Sequence, residues 1–157
     1  MAEVWNKYAN TAARKHGKPG REVRPKSLTL DMHAHVAVPR VAEIVTPHLK
    51  QATDPLVATS TPETQALMAK QAADIRSRMS TTDERFAVMD EMGVDMQLIC
   101  PAPPQIYYYL PVEVGVEAAR ALNDGIADYV CKHKVRLVAL GCVAIQNGNE
   151  AAKNLER

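Results

Sequence analysis

Residues Leu28–Val36 read LTLDMHAHV, and they decide the fold. Thr29, Asp31, His33 and His35 alternate with Leu28, Leu30, Met32, Ala34 and Val36, the period of a β-strand. A strand with this pattern puts Asp31, His33 and His35 on one face and Met32, Ala34 and Val36 on the other. Burying two imidazoles and a carboxylate without partners costs several kcal/mol, roughly. A divalent metal would supply the partner, since histidine nitrogen suits zinc and its neighbours. The competing reading is an exposed edge strand, because His-x-His is a short pattern. Two histidines also fall short of the three protein ligands usual in catalytic zinc sites.

Downstream of this strand the chain alternates between strand and helix signals. Pro39 stops the strand, and RVAEIVTPHLKQ (40–51) reads as a short helix interrupted at Pro47. Residues 50–80 are rich in Ala, Thr and Gln with weak periodicity, which predicts a long excursion of the kind that serves as a lid. Thr81-Thr82-Asp83-Glu84 has the form of a capping box, and Gly93 stands where that helix would end. VDMQLIC (94–100) is the second strand. The loop PAPPQIYYYLP (101–111) is denied backbone donors by its prolines. A helix over 112–134 carries an apolar stripe of Ala119, Leu122, Ile126, Tyr129 and Val130. VRLVALGCV (135–143) is nearly unbroken apolar, as in a strand buried on both faces. NGNEAAKNLER opens a further helix, within which the sequence stops.

Strand, helix, strand, helix, strand, helix predicts parallel strands joined by crossover helices. The fold class is α/β, either a doubly wound sheet or part of a (β/α)8 barrel. A barrel takes about 250 residues, so the 157-residue chain reads as about three βα units, a fragment. Residues 1–27 read as a helical leader and linker, and 28–157 as the N-terminal portion of the barrel domain.

Charge narrows the partners. The leader holds seven Lys or Arg against two Glu, a balance of +5 that leaves −4 for the rest of a chain of net charge +1. Trp5 and Tyr8 flank only Lys7, and no aromatic residue interleaves with the six cations from Arg14 to Lys26, so the basic leader reads as a solvated helix and linker, not as a nucleic-acid arm. No apolar run approaches the roughly 20 residues of a membrane span, and the polar N-terminal residues lack the apolar stretch expected of a secretory signal. Cys100, Cys131 and Cys142 form no CxxC pair and fit a reduced compartment. These features predict a cytoplasmic protein with neither a nucleic-acid nor a membrane partner.

Further site candidates follow from position. Pro103-Pro104-Gln105 makes a stiff turn on the rim that would carry His35, and Tyr107–Tyr109 bring apolar bodies with polar tips. Pro103 and Tyr108 are thus candidate substrate contacts. Arg76, in the excursion, is a candidate clamp for a substrate carboxylate. Arg85 has Asp83 and Glu84 as ready partners for a surface ion pair. His16, His48 and His133 read as structural or solvated.

LDMHAHV, RFAVMDEMGVDMQLICPAPPQIYYY, AARALNDGIADYVCKHKVRLVALGCVAIQ and EAAKNLER together resemble the N-terminal half of the amidohydrolase-related decarboxylase family. Its members include 2-amino-3-carboxymuconate-6-semialdehyde decarboxylase and γ-resorcylate decarboxylase. The resemblance runs from Leu28 to Arg157 and implies a metal-dependent barrel. His33 and His35 would bind zinc, with manganese as the alternative, and Asp31 would support them. The resemblance puts a histidine on strand five and an aspartate on strand eight to complete the shell, so the catalytic residues are expected beyond Arg157. An ungapped count places the muconate enzyme's carboxylate-binding arginine at Arg76, although Ser80-Thr81 replaces the Trp-Asp pair found there. The implied activity is non-oxidative decarboxylation of an unsaturated or aromatic acid by a longer enzyme, which commonly dimerises. Alternatives are a metal-dependent hydrolase on the same scaffold and a truncated interaction module without catalysis. The chain by itself is expected to be inactive.

Overall fold

The computed structural model describes residues 28–49 and 55–156. The leader, with its basic cluster and His16, lies outside the described residues. Three strands form one parallel sheet in the order β1 (Leu30–Val36), β2 (Met96–Pro101), β3 (Leu137–Ala139). Helices α1 (Pro39–Val45), α2 (Pro55–Ala58), α3 (Pro62–Ser80) and α4 (Thr82–Met92) lie between β1 and β2. Helix α5 (Val112–Cys131) connects β2 to β3, and α6 (Gly148–Leu155) follows β3. The expected α/β class and parallel sheet are therefore present.

One face of the sheet builds the core. Ala34 and Val36 from β1, Ile99 from β2 and Leu137 from β3 pack with Val41 and Val45 of α1 and Ala118, Leu122 and Ile126 of α5. These α5 side chains recur every fourth position, so one stripe of the helix faces the sheet. Each fully buried Leu or Ile contributes about 1.5–3 kcal/mol. Asp95, at 0% exposure, pins the start of β1: its carboxylate accepts the Thr29 N–H at 2.7 Å, and its own N–H donates to the Thr29 carbonyl at 2.9 Å.

Three expectations are corrected here. Most of the excursion is ordered helix. Thr61 accepts the Thr64 N–H, Pro62 occupies the first turn with Glu63, and α3 runs for 19 residues. None of its residues is buried, so helix propensity and capping sustain it without an apolar stripe. The capping box does not form: the Thr81 hydroxyl donates back to the Ser77 carbonyl at 2.9 Å, because α3 ends where α4 begins. Gly93 does close α4, at φ 72°, where glycine is favoured. The third strand covers only Leu137–Ala139 and is buried on one face, with Val138 41% and Leu140 52% exposed on the other. Among the described residues, no helix is long and apolar enough to cross a membrane.

Candidate metal centre

Strand β1 is not regular. Asp31 pairs with Gln97 but Ala34 pairs with Ile99, so Met32 and His33 together oppose one residue of β2. This is a β-bulge, and it breaks the two-residue alternation. Asp31 registers with Gln97 while His35 registers with Cys100, and these β2 residues, three apart, point to opposite faces. The expected shared face is thus corrected: His35 lies on the open face of the sheet, Asp31 with the helix-side set. Met32, expected on the face of Ala34 and Val36, is 62% exposed at the bulge.

The two histidines do come together. Their ring centroids are 4.9 Å apart with the planes at 83°. In an unbulged strand, two residues advance about 6.6 Å. Asp31 Oδ1 accepts the His33 N–H at 3.0 Å, and Asp31 Oδ2 accepts Gln97 Nε2 at 2.9 Å. Nδ1 of His35 stands 3.1 Å from the Pro101 carbonyl and 3.2 Å from Cys100 Sγ. A carbonyl only accepts, so in the neutral ring the contact with Pro101 favours the tautomer with its proton on Nδ1 and its lone pair on Nε2. A neutral imidazole held in this tautomer suits a divalent cation. Among the described residues, no three His, Cys, Asp or Glu side chains group to hold an ion, so the histidines stand as a pair.

Arg85 overturns its sequence reading. It is 7% exposed and pairs with neither Asp83 nor Glu84. Its guanidinium donates to the His35 carbonyl at 2.6 Å, to Gln97 Oε1 at 2.9 Å and to the Tyr129 hydroxyl at 3.0 Å. Burial without a carboxylate is tolerated because these acceptors take up the donors. No local pattern reveals this, since the acceptors lie 12 to 50 residues away along the chain.

Side-chain amides hold the rim beyond the strands. Gln105 binds both backbone groups of Val38, accepting its N–H at 2.7 Å and donating to its carbonyl at 2.8 Å. Asn123 does the same for Cys142, at 2.8 Å in each direction. The loops after β1 and β3 are thereby tied to the loop after β2 and to α5. Pro103 is exposed in the short 3-10 turn Pro103–Gln105. Tyr107 and Tyr109 pack against the core, leaving Tyr108 40% exposed. Burial, and secondarily Cys142, raise the Tyr108 pKa. Arg76 is exposed on α3, one turn before Met79, whose carbonyl accepts the Ala37 N–H just past β1. His48 is exposed, and His133 stacks edge-on against Phe86 with centroids 4.8 Å apart.

No family model matches the chain. By sequence it is similar to γ-resorcylate decarboxylase from Polaromonas sp. (strain JS666), at 29% identity over 85 residues, 54% of this chain and 26% of that protein. By structure it is similar to 5-carboxyvanillate decarboxylase from Sphingomonas paucimobilis, with a TM-score of 0.62 and 28% identity over 83% of this chain and 38% of that one. A 5-carboxyvanillate decarboxylase from Novosphingobium aromaticivorans, complexed with manganese and 4-hydroxy-3-methoxy-5-nitrobenzoic acid, gives a TM-score of 0.68 at 20% identity over 84% of this chain and 38% of that one. The chain thus spans between 26% and 38% of the length of these relatives. The resemblance to decarboxylases of aromatic acids stands in both comparisons, and the sheet matches part of their fold.

Proposed function

We propose that this chain carries the first metal-binding strand of a metal-dependent, non-oxidative decarboxylase of an aromatic or unsaturated carboxylic acid. Residues 28–157 would form the N-terminal part of its (β/α)8 barrel, with the open face of the sheet turned to the interior. The observation that carries the reading is the His33–His35 pair at the C-terminal end of β1, in a sheet that matches decarboxylases. Ligands in α/β folds lie at that end of the strands.

His33 and His35 would hold the ion, and Asp31 would support His33 through its backbone. Manganese is the ion to try first, because a related structure contains it; zinc is the second. A bound divalent ion would supply Lewis acidity toward a substrate oxygen. The chain's own residues would orient the acid. Arg76 would offer a bidentate grip on a carboxylate, while Tyr108 and Pro103 would wall the rim after β2. In the net reaction the carbon–carboxylate bond breaks, CO2 leaves, and a proton takes its place on the carbon. A dimer and a cytoplasmic location belong to the same reading.

The test uses the protein isolated from its natural source. With manganese it is expected to release CO2 from γ-resorcylate or 5-carboxyvanillate, and a chelator is expected to stop the release. Release indifferent to the chelator would sink the metal reading. Solvent oxygen incorporated into product, with no CO2, would replace decarboxylation by hydrolysis.

A further inference from the structure

One chain of hydrogen bonds, half-buried in its middle and exposed at both ends, reaches both sides of the β1 bulge. It begins at Thr81, whose carbonyl accepts the Tyr129 hydroxyl at 2.9 Å. Tyr129 in turn accepts from Arg85 Nε. The same guanidinium caps the His35 carbonyl beyond the bulge and binds Gln97 Oε1. Gln97 uses its other amide atom, Nε2, to hold Asp31 Oδ2 ahead of the bulge. Asp31 Oδ1 finally accepts the N–H of His33, inside the bulge. A bulge leaves strand groups without their ladder partners; here the Asp31 carboxylate, held by Gln97, takes the His33 N–H, and the Arg85 guanidinium takes the His35 carbonyl.

We propose that Gln97 and Arg85 are positioning residues for the His33–His35 pair: they fix the bulge that sets the two rings 4.9 Å apart. Neither side chain hydrogen-bonds to the rings. Gln97 acts through Asp31 and Arg85 through the His35 carbonyl. The chemistry is directional. Gln97 must accept from Arg85 and donate to Asp31 at once, and among side chains of its shape only an amide does both. The metal-related part of this inference rests on the proposed function; the part about ring placement does not.

Gln97→Glu is the discriminating variant. It keeps the acceptor for Arg85 and sets a carboxylate against Asp31 in nearly the same volume. The first readout is the ring-nitrogen NMR spectrum of the metal-free full chain. The signals of His33 and His35 are expected to move, while those of His48 and His133 stay in place as internal controls. The second readout is a manganese titration followed by paramagnetic broadening of the same signals. Loss of an outer partner commonly weakens metal binding about 10–100-fold, so Gln97→Glu is expected to need at least about tenfold more manganese. A purely structural contact would lower the unfolding temperature without moving the ring signals or the titration. Arg85→Lys, which keeps the charge but loses the fork, takes its place if Gln97→Glu does not fold. Unmoved His33 and His35 signals in a folded variant overturn the inference. Moved signals, with no selective broadening in the wild type, uphold the positioning and overturn the metal reading alone.

Discussion

Gly125→Ala sets two known effects against each other, and the structure decides the sign. In an unpacked helix interior, replacing glycine with alanine stabilises by about 0.5–1 kcal/mol. At Gly125 the added Cβ would meet Val38 Cγ1 at 2.5 Å, Cγ2 at 3.0 Å and Cβ at 3.3 Å. Carbon atoms rest at about 3.5–4.0 Å, so the helix and Val38 must part by about 1 Å. Val38 has little room to yield. Gln105 holds both its N–H and its carbonyl, and its side chain is buried. Rotating the side chain does not help, because both methyl groups already crowd the site. Helix α5 must therefore retreat and loosen the packing of Leu122 and Ile126. Overpacking of this kind costs about 1–3 kcal/mol. It exceeds the propensity gain, and the net expectation is a loss of about 1–2 kcal/mol. Urea unfolding at 25 °C measures it. Gly148→Ala is the control, since nothing lies within 4 Å of the added atom. Combining Gly125→Ala with Val38→Ala removes both methyl contacts and leaves only the 3.3 Å approach to the Cβ of residue 38, and there most of the propensity gain should reappear. A Gly125→Ala chain more stable than wild type, or a double variant showing no coupling, refutes the close-approach reasoning.

Other perturbations have equally definite outcomes. Arg85→Met strands the His35 carbonyl and Gln97 Oε1 and should cost about 3–5 kcal/mol in urea unfolding, whereas a surface ion pair would cost under about 1 kcal/mol. Burial raises the Cys142 thiol pKa above its ordinary 9.0, so peptide mass spectrometry after iodoacetamide at pH 8 should find exposed Cys131 alkylated well before Cys142. The Lys153 hydrogen bond, aided by the Lys153 and Arg120 charges, holds the Glu150 carboxyl below its ordinary 4.5. A depressed folded value means that its small contribution is complete above the unfolded value and is lost as pH falls through the folded one. Glu150→Gln should therefore narrow the stability gap between pH 6 and pH 3, as read by thermal unfolding.

What the sequence made legible was what local pattern encodes. The α5 stripe at Ala119, Leu122 and Ile126 is buried as its spacing predicts, and Gly93 ends α4 in the left-handed conformation. The neighbourhood of His33 and His35 was legible too, because consecutive odd positions stay close even when a strand bends. Helix α3 has no apolar periodicity to mark it, because it buries nothing. Thr61-Pro62-Glu63, an N-cap followed by proline and an acid, marks its start and could have revealed it. The bulge has no local signature. It is set by Gln97, 66 residues from Asp31 along the chain, and by Arg85. Arg85 looked like a surface residue because two acids stand beside it, yet its acceptors come from β1, β2 and α5.

The two faces of the sheet divide the helix-packed core from the proposed metal site. Ala34, Val36, Ile99 and Leu137 face the helices, and changes there act on folding. His35, Cys100, Leu98 and Val138 face the other way, where Val138 is largely open. Removing an imidazole from that face leaves no cavity in the core, so His33→Ala and His35→Ala should leave the unfolding midpoint nearly unchanged while abolishing manganese-induced broadening. Asp31 and Gln97 fall outside this division. They sit on the helix-facing side and hold the backbone that presents the rings on the other. A bulge is what permits this crossing, because it moves Asp31 off the histidine face while keeping its carboxylate within reach of the His33 N–H. In a strand with unbroken alternation, Asp31 would stand beside the rings and lose Gln97, and the helix layer would have one less means of fixing where the two histidines meet.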